Sequence, residues 1–246
     1  MSDAAPHPQD LRERLGALGT CDDEAISLGH TALWLAALDR PQVGLARYEG
    51  HLAELSDALG GTTDTLAGKT AALQNLVTGQ GYAGDEQTYD DEQNANLIRV
   101  IDRRKGLPVS LAILLIHSAE TVDWRVVGLS FPYHFLVRLD HDNERAVIDP
   151  FNAGAVLTTQ KMRDLLKSFD DDADLRPEHY QPISKRDILL RLQNNMKSRA
   201  VQQRRFDRAA DVLERMVLFA PGEAALWREL GVLQVACGRV KDAVNS

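Results

Sequence analysis

A chain of 246 residues, 44% hydrophobic and 26% charged, can bury one large core or two modest ones and is not a disordered polymer. Its formal net charge of -8 repels polyanions on average, which argues against nucleic acid as a partner. The two cysteines, Cys21 and Cys237, lie at opposite ends, so they give neither a disulfide framework nor a metal-ligand spacing. No basic-plus-apolar leader opens the chain, and the longest apolar run, Leu111 to Ile116, is far too short to cross a bilayer. The expectation is a soluble cytoplasmic protein with no membrane contact.

Taken in order, the first third reads as helix. Asp22-Asp23-Glu24 would place negative charge at a helix start before an apolar run ending near Leu38, and Asp39-Arg40-Pro41 breaks it. A second helix runs from about Gln42 to Leu59 and stops at Gly60-Gly61; a third covers Thr65 to Val77. The acidic, turn-rich stretch from Gly79 to Glu92 is a loop, and its Asp85–Glu92 part is a candidate rim for a groove. Asn94 to Arg104 returns to helix. Pro108 then suits the first turn of a helix reaching about Thr121, with almost no polar face and hence a central, buried position.

The pattern next turns to strand: Trp124–Leu129, His134–Leu139, a turn at His141-Asp142-Asn143, and Arg145–Ile148. Thr158 or Thr159 caps a helix reaching about Phe169. A polar, proline-bounded linker occupies 171–184. The division expected is an N-terminal helical region over 1–78, a core over 79–170, and helices over 185–246. That last part carries a repeat: Trp227, Leu230 and Gly231 stand in the spacing that opens a tetratricopeptide unit. A register of about 34 residues puts Ala209, Leu213 and Pro221 at the preceding unit's small, large-apolar and closing-proline positions, and Ala243 continues it. The second unit is incomplete at Ser246, and a lone pair of such helices is marginal unless it docks on the preceding domain. The densest basic stretch, Arg199 to Arg208, also carries Asp207 and reads as a solvated helix face.

Three features point to chemistry. A helix start just after Gly106, a His at the head of a strand, and an acid closing the next strand are how papain-like enzymes assemble a nucleophile site. The helix dipole favours a thiolate, the imidazole holds the proton and the carboxylate fixes the imidazole. Here those residues are Pro108, His134 and Asp149. Both polar members have plain alternatives: a His–Asp pair can satisfy a polar spot in a core, and Asp149-Pro150 is a natural strand-ending turn. Tyr133, beside His134, is the best placed of the tyrosines to line a groove; Tyr82 and Tyr89 are further candidates. His30, His51 and His117 show no metal-ligand spacing, and the glycine pairs lack the context of a phosphate loop.

The segments Arg103–Leu111, Phe131–Arg138 and Ile148–Asn152 together resemble the three blocks of the bacterial SirB-one family, whose transglutaminase-like domain is often followed by tetratricopeptide-like repeats. The resemblance covers about Leu33 to Asp164, and the helices beyond Lys185 agree with it. It implies an α+β fold: a transglutaminase-like domain of N-terminal helices and a central buried helix on a short antiparallel sheet, then α-helical repeats. In that pattern Gly106 and Ala112 fill the outer positions and Pro108 stands where the nucleophilic Cys belongs; His134 and Asp149 match the remaining two members. Ser110 is the one alternative nucleophile, for a hydrolase or acyltransferase with His134 and Asp149. Two positions along a helix, however, rotate a side chain by about 200° from the original direction, and Ser110 serves equally as a hydroxyl satisfying backbone groups. The function implied is a non-catalytic protein-interaction or regulatory module without metal or cofactor. It would meet a protein partner through the cleft (Tyr133, His134, Asp149) or through the repeat surface around Trp227.

Overall fold

A computed structural model of the chain describes residues 4–239. Ten helices, α1 (Pro8–Leu18), α2 (Leu28–Ala37), α3 (Ala46–Asp57), α4 (Leu66–Gly79), α5 (Leu97–Arg103), α6 (Pro108–Thr121), α7 (Thr159–Lys167), α8 (Lys185–Gln202), α9 (Phe206–Phe219) and α10 (Ala224–Ala236), surround two small sheets. The larger sheet has the order β3-β4-β5-β6, formed by β3 (Arg125–Gly128), β4 (Val137–His141), β5 (Glu144–Asp149) and β6 (Ala155–Leu157), each pair antiparallel. The smaller is a parallel pair, β1 (Ala83–Gly84) with β2 (Lys105–Gly106). The architecture is the expected α+β arrangement, helices around a short antiparallel sheet followed by a helical region.

Every residue of α6 from Pro108 to Ala119 is buried. Its apolar surface is covered by α2, α3, α8 and β3, so the least polar segment of the sequence is also the centre of the core. The period of two in β4 divides the sheet's faces: Val137 and Leu139 join the main core, whereas Leu136 joins a second cluster with Leu129, Phe131, Met162 and Leu166. Asp142 turns the β4–β5 hairpin with a φ of 52°, a left-handed conformation that a short polar residue tolerates.

The main core is continuous into the repeat helices, where Ala209 and Leu213 have no exposed surface. The repeat pair is docked rather than free. Helix α1, which the sequence reading did not include, packs on α9. Asp23 does not start a long helix but lies in a single 3-10 turn, Asp23–Ala25. Its carboxylate accepts the Lys185 and Arg186 amides at 2.7 and 2.9 Å, which caps α8 from the far end of the sequence. Arg186 donates back to the Leu18 and Cys21 carbonyls at 2.9 and 3.0 Å.

The basic stretch is likewise not a solvated face throughout. Arg199 is buried, and Arg208 forms a fork with Asp39 at 2.6 and 2.8 Å that Arg215 joins at 2.5 Å. Burial alone would raise the Asp39 carboxyl; the two guanidiniums outweigh it and hold the group below its ordinary value. The stability Asp39 contributes is therefore present above about pH 4 and is lost as pH falls through the depressed value. Replacing Asp39 with Ala takes its carboxylate partner from the buried Arg215 and leaves Arg208 only Glu92 at 3.7 Å, which should destabilise the chain by about 2–3 kcal/mol, read as a lower midpoint in urea denaturation at neutral pH.

Candidate functional site

Helix α6 begins at Pro108, preceded by Leu107 in an extended conformation with no side-chain cap. Its hydrogen-bond ladder opens with Leu111 N–H donating to Leu107 C=O at 3.1 Å, so the Val109 and Ser110 amides stand at the open, positive end. The helix end faces a small cleft of about 50 Å³ lined by Leu107, Pro108, Val109, Tyr133, His134, Phe135, Tyr89, Arg191 and Asn195. Pro108, at the position of the expected nucleophile, thus shares this cleft with His134.

His134 is 6% exposed, and it does not head a strand: β4 starts only at Val137. Tyr133 takes a left-handed φ of 63° and the His134 amide turns back onto the Pro132 carbonyl at 2.7 Å, so the chain bends before pairing begins. Nε2 of His134 lies 2.9 Å from Asp149 Oδ1. Among the described residues Nδ1 has no hydrogen-bond partner, and it is not one of the fully enclosed unpaired atoms. The ring is held edge-to-face by Phe151 at 5.9 Å and stacks with Phe169 at 6.3 Å. Phe151 in turn needs Gly84, since a Cβ there would lie 2.5 Å from its ring.

Asp149 is buried at the end of β5 and does more than orient the imidazole. Oδ1 also accepts the Phe151 amide at 3.0 Å, and Oδ2 accepts the Asn152 side-chain amide at 2.6 Å. Burial pushes its carboxyl up, but His134, Asn152 and the Phe151 N–H together bring it below 3.8.

Ser110 is placed otherwise. It is fully buried, and its hydroxyl donates to the Asn94 carbonyl at 2.6 Å; it is not among the residues that line the cleft. The acidic segment also turns inward. Asp85 is 2% exposed and accepts from Thr88 and from Arg103 at 2.8 Å; burial raises its carboxyl, yet these bonds hold it well below the usual range. Glu92 pairs with Arg205 and lies 3.7 Å from Arg208, which leaves Tyr89 and Asp90 as the part of the segment nearest the cleft.

Tyr133 is 57% exposed, stacks on Phe169 at 5.8 Å and forms the outer lip. Trp227 lies elsewhere, on α10: its ring packs against the core and its indole N–H donates to the Pro221 carbonyl at 2.8 Å, closing the turn between α9 and α10. Ala243 lies outside the described residues. His117 packs on α2, edge-to-face with His30 at 5.1 Å, and burial pushes its pKa down to about 4. His51 meets Tyr82 at 2.9 Å, away from the cleft. Among the described residues no group of three or more His, Cys, Asp or Glu could hold a metal ion.

Two cleft residues carry no local signal in the sequence. Arg191 and Asn195 belong to α8, and Arg191 donates to the Phe131 and His134 carbonyls at 3.1 and 2.7 Å. It thereby pins the loop that carries His134.

A family model of the transglutaminase-like superfamily matches residues 46–194, and one of the tetratricopeptide repeat matches 196–246. A UPF0162 protein of Xylella fastidiosa (strain 9a5c) is 32% identical, over 93% of this chain and 84% of its own length. The chain belongs to the UPF0162 family. A second such relative, from Vibrio cholerae, is 29% identical over 91% of the chain and 86% of its own length. Protein SirB1 of Salmonella typhimurium is 27% identical over 65% of the chain and 61% of its own length. Among solved structures, a crystal structure of menin shares 11% identity at a TM-score of 0.46, covering 97% of this chain and 68% of that one. The two family models meet inside α8, the helix that supplies Arg191 and Asn195 to the cleft.

Asp149 titrates lower when folded than when unfolded, so its contribution is complete above about pH 4 and fades as pH falls through the depressed value. Asp149→Ala removes the bonds to His134, Phe151 and Asn152 and should lower stability by about 2–4 kcal/mol at pH 7. It should also flatten the acid limb of a stability profile measured by denaturation between pH 7 and pH 2.

Proposed function

We propose that this protein is a non-catalytic interaction module in which a transglutaminase-like cleft and a repeat surface serve to hold a protein partner in the cytoplasm. The observation that carries the reading is the cleft floor: Pro108, which has no nucleophilic atom, lines it opposite a His134–Asp149 pair that is otherwise assembled. The Ser110 hydroxyl is engaged with the Asn94 carbonyl, so an attack from Ser110 would require breaking a 2.6 Å bond in a fully buried position. Stacked repeat helices offer extended concave faces to partner proteins, and α8, which packs on α9, also lines the cleft with Arg191 and Asn195, which supports a contact site shared between the two. The acyltransferase alternative keeps a single feature in its favour, the intact imidazole–carboxylate pair.

Two measurements decide. Fluorophosphonate and vinyl-sulfone probes should leave the wild-type chain unlabelled in the cleft; labelling that disappears in Ser110→Ala would overturn the reading. Conversely, Pro108→Cys should restore what the cleft is built to activate. Its thiol should titrate below the usual value of about 8.5, as read by the pH dependence of iodoacetamide alkylation mapped to that residue. The shift should vanish when His134→Gln is added. An ordinary thiol in Pro108→Cys would mean that the cleft is not a nucleophile site with its nucleophile missing.

A further inference from the structure

A site that stabilises a thiolate is, once the sulfur is gone, a site with unmatched positive potential. We propose that this cleft is a carboxylate receptor, taking the acid group of a peptide between the N-terminus of α6 and His134. This rests on the non-catalytic reading and gives the ligand its chemistry.

Three features converge on the same 50 Å³. The open end of α6, a helix of 14 residues, presents its uncapped first turn with Val109 in the lining. His134, more than nine-tenths buried, lines it with Nδ1 unpartnered among the described residues, while Asp149 holds Nε2. Arg191 adds a guanidinium that has no ion-pair partner among the described residues and that spends only part of its N–H groups on the Phe131 and His134 carbonyls. No Asp or Glu lines the cleft. The charged and titratable groups facing His134 are Asp149 from β5 on its Nε2 side, Arg191 from α8, and Tyr133 and Tyr89 at the lip.

Size limits the ligand. A space of about 50 Å³ admits a group of a few atoms and not a whole small-molecule ligand. The donors that line it are the Val109 amide at the helix end and the N–H groups that Arg191 has left beyond its bonds to the Phe131 and His134 carbonyls, which suffice for the two oxygens of a carboxylate. The rest of the ligand has somewhere to go. A polar groove of about 250 Å³ shares Tyr89, Arg191 and Asn195 with the cleft and continues along α8 past Ser198 to Arg199. Arg199, 5% exposed, stands on this groove beside the one carboxylate that lines it, Asp90, which lies 3.7 Å from its Nε.

The test is calorimetric titration of the full chain with three probes: acetyl-alanyl-alanine, the amide of acetyl-glutamate that keeps only its side-chain acid, and acetyl-alanyl-alanine amide. One of the two acids should bind at least about tenfold more tightly than the neutral amide, and which one does so identifies a chain terminus or an acidic side chain as the source. His134→Gln should weaken that acid about tenfold or more. Pro108→Asp, which places a carboxylate of the chain's own in the seat and suits a helix start, should abolish binding without loss of stability. Equal binding of the neutral amide, equal binding of inorganic phosphate, or undiminished binding by both variants would overturn the proposal. Probe labelling at Ser110 would sink the non-catalytic reading alone, because the titrations report the seat whether or not Ser110 reacts.

Discussion

Helix α6 has no polar face from Pro108 to Ala119, and a helix of that kind is stable only if neighbours cover it on every side. The arrangement of the rest follows from that requirement. Helices α2 and α3 cover it from the N-terminal region, β3 brings the sheet onto it, and α8 closes it from the C-terminal region. The flanks being covered, the polar end of α6 is its N-terminus, where free amides cannot be buried against apolar side chains without loss. The cleft exists because the most apolar helix still has one end that requires polar company.

Helix α8 supplies that company and binds the two halves of the chain. Asp23 caps it, Arg186 ties it to the Leu18 and Cys21 carbonyls, and Arg191 grips the carbonyls on either side of the Tyr133 turn. A pair of repeat helices on its own buries too little to be stable, and here its missing neighbours are α1 and α6. The charge cluster of Asp39 with Arg208 and Arg215 acts at the same junction. The helix on which the two matched regions meet is thus part of the wall of the cleft, and the groove along it carries residues of both, Arg191 and Ser198 among them.

How legible this was depends on the range of the interaction involved. Helices with long apolar periods, the β4–β5 hairpin with its Asp142 turn, and the repeat spacing at Ala209 and Leu213 are written in local pattern, and the structure has them. Helix α1 is weakly marked because it buries fully only Leu11 and Leu15, with Leu18 partly covered, and it depends on packing against α9. Asp23 reads locally as a helix start, yet its carboxylate serves amides more than 160 positions away. His134 reads as strand because Phe135, Leu136 and Val137 follow it; the left-handed Tyr133, held by stacking on Phe169, bends the chain instead. The inward turn of Asp85 likewise needs Arg103, and nothing in the acidic run announces that partner. Of the cleft, the α6 start, His134 and Asp149 could be found as motifs, whereas Arg191 and Asn195 could not.

The persistence of Asp149 and His134 beside a proline has a physical explanation that does not involve reaction. Asp149 closes the turn after β5 through Phe151 and Asn152, so its carboxylate is needed for the fold. The imidazole satisfies one of that buried carboxylate's oxygens and fills the space between Phe151 and Phe169. Removing either leaves an unpaired buried group, which is strongly destabilising. Those duties account for Nε2 and for both faces of the ring. They do not account for Nδ1, which has no partner among the described residues and belongs to a cleft that no Asp or Glu lines. A structural remnant would be indifferent to what that atom meets. A receptor would not be, and carboxylate binding to the wild-type chain and to His134→Gln separates the two, because only a receptor loses affinity with the imidazole.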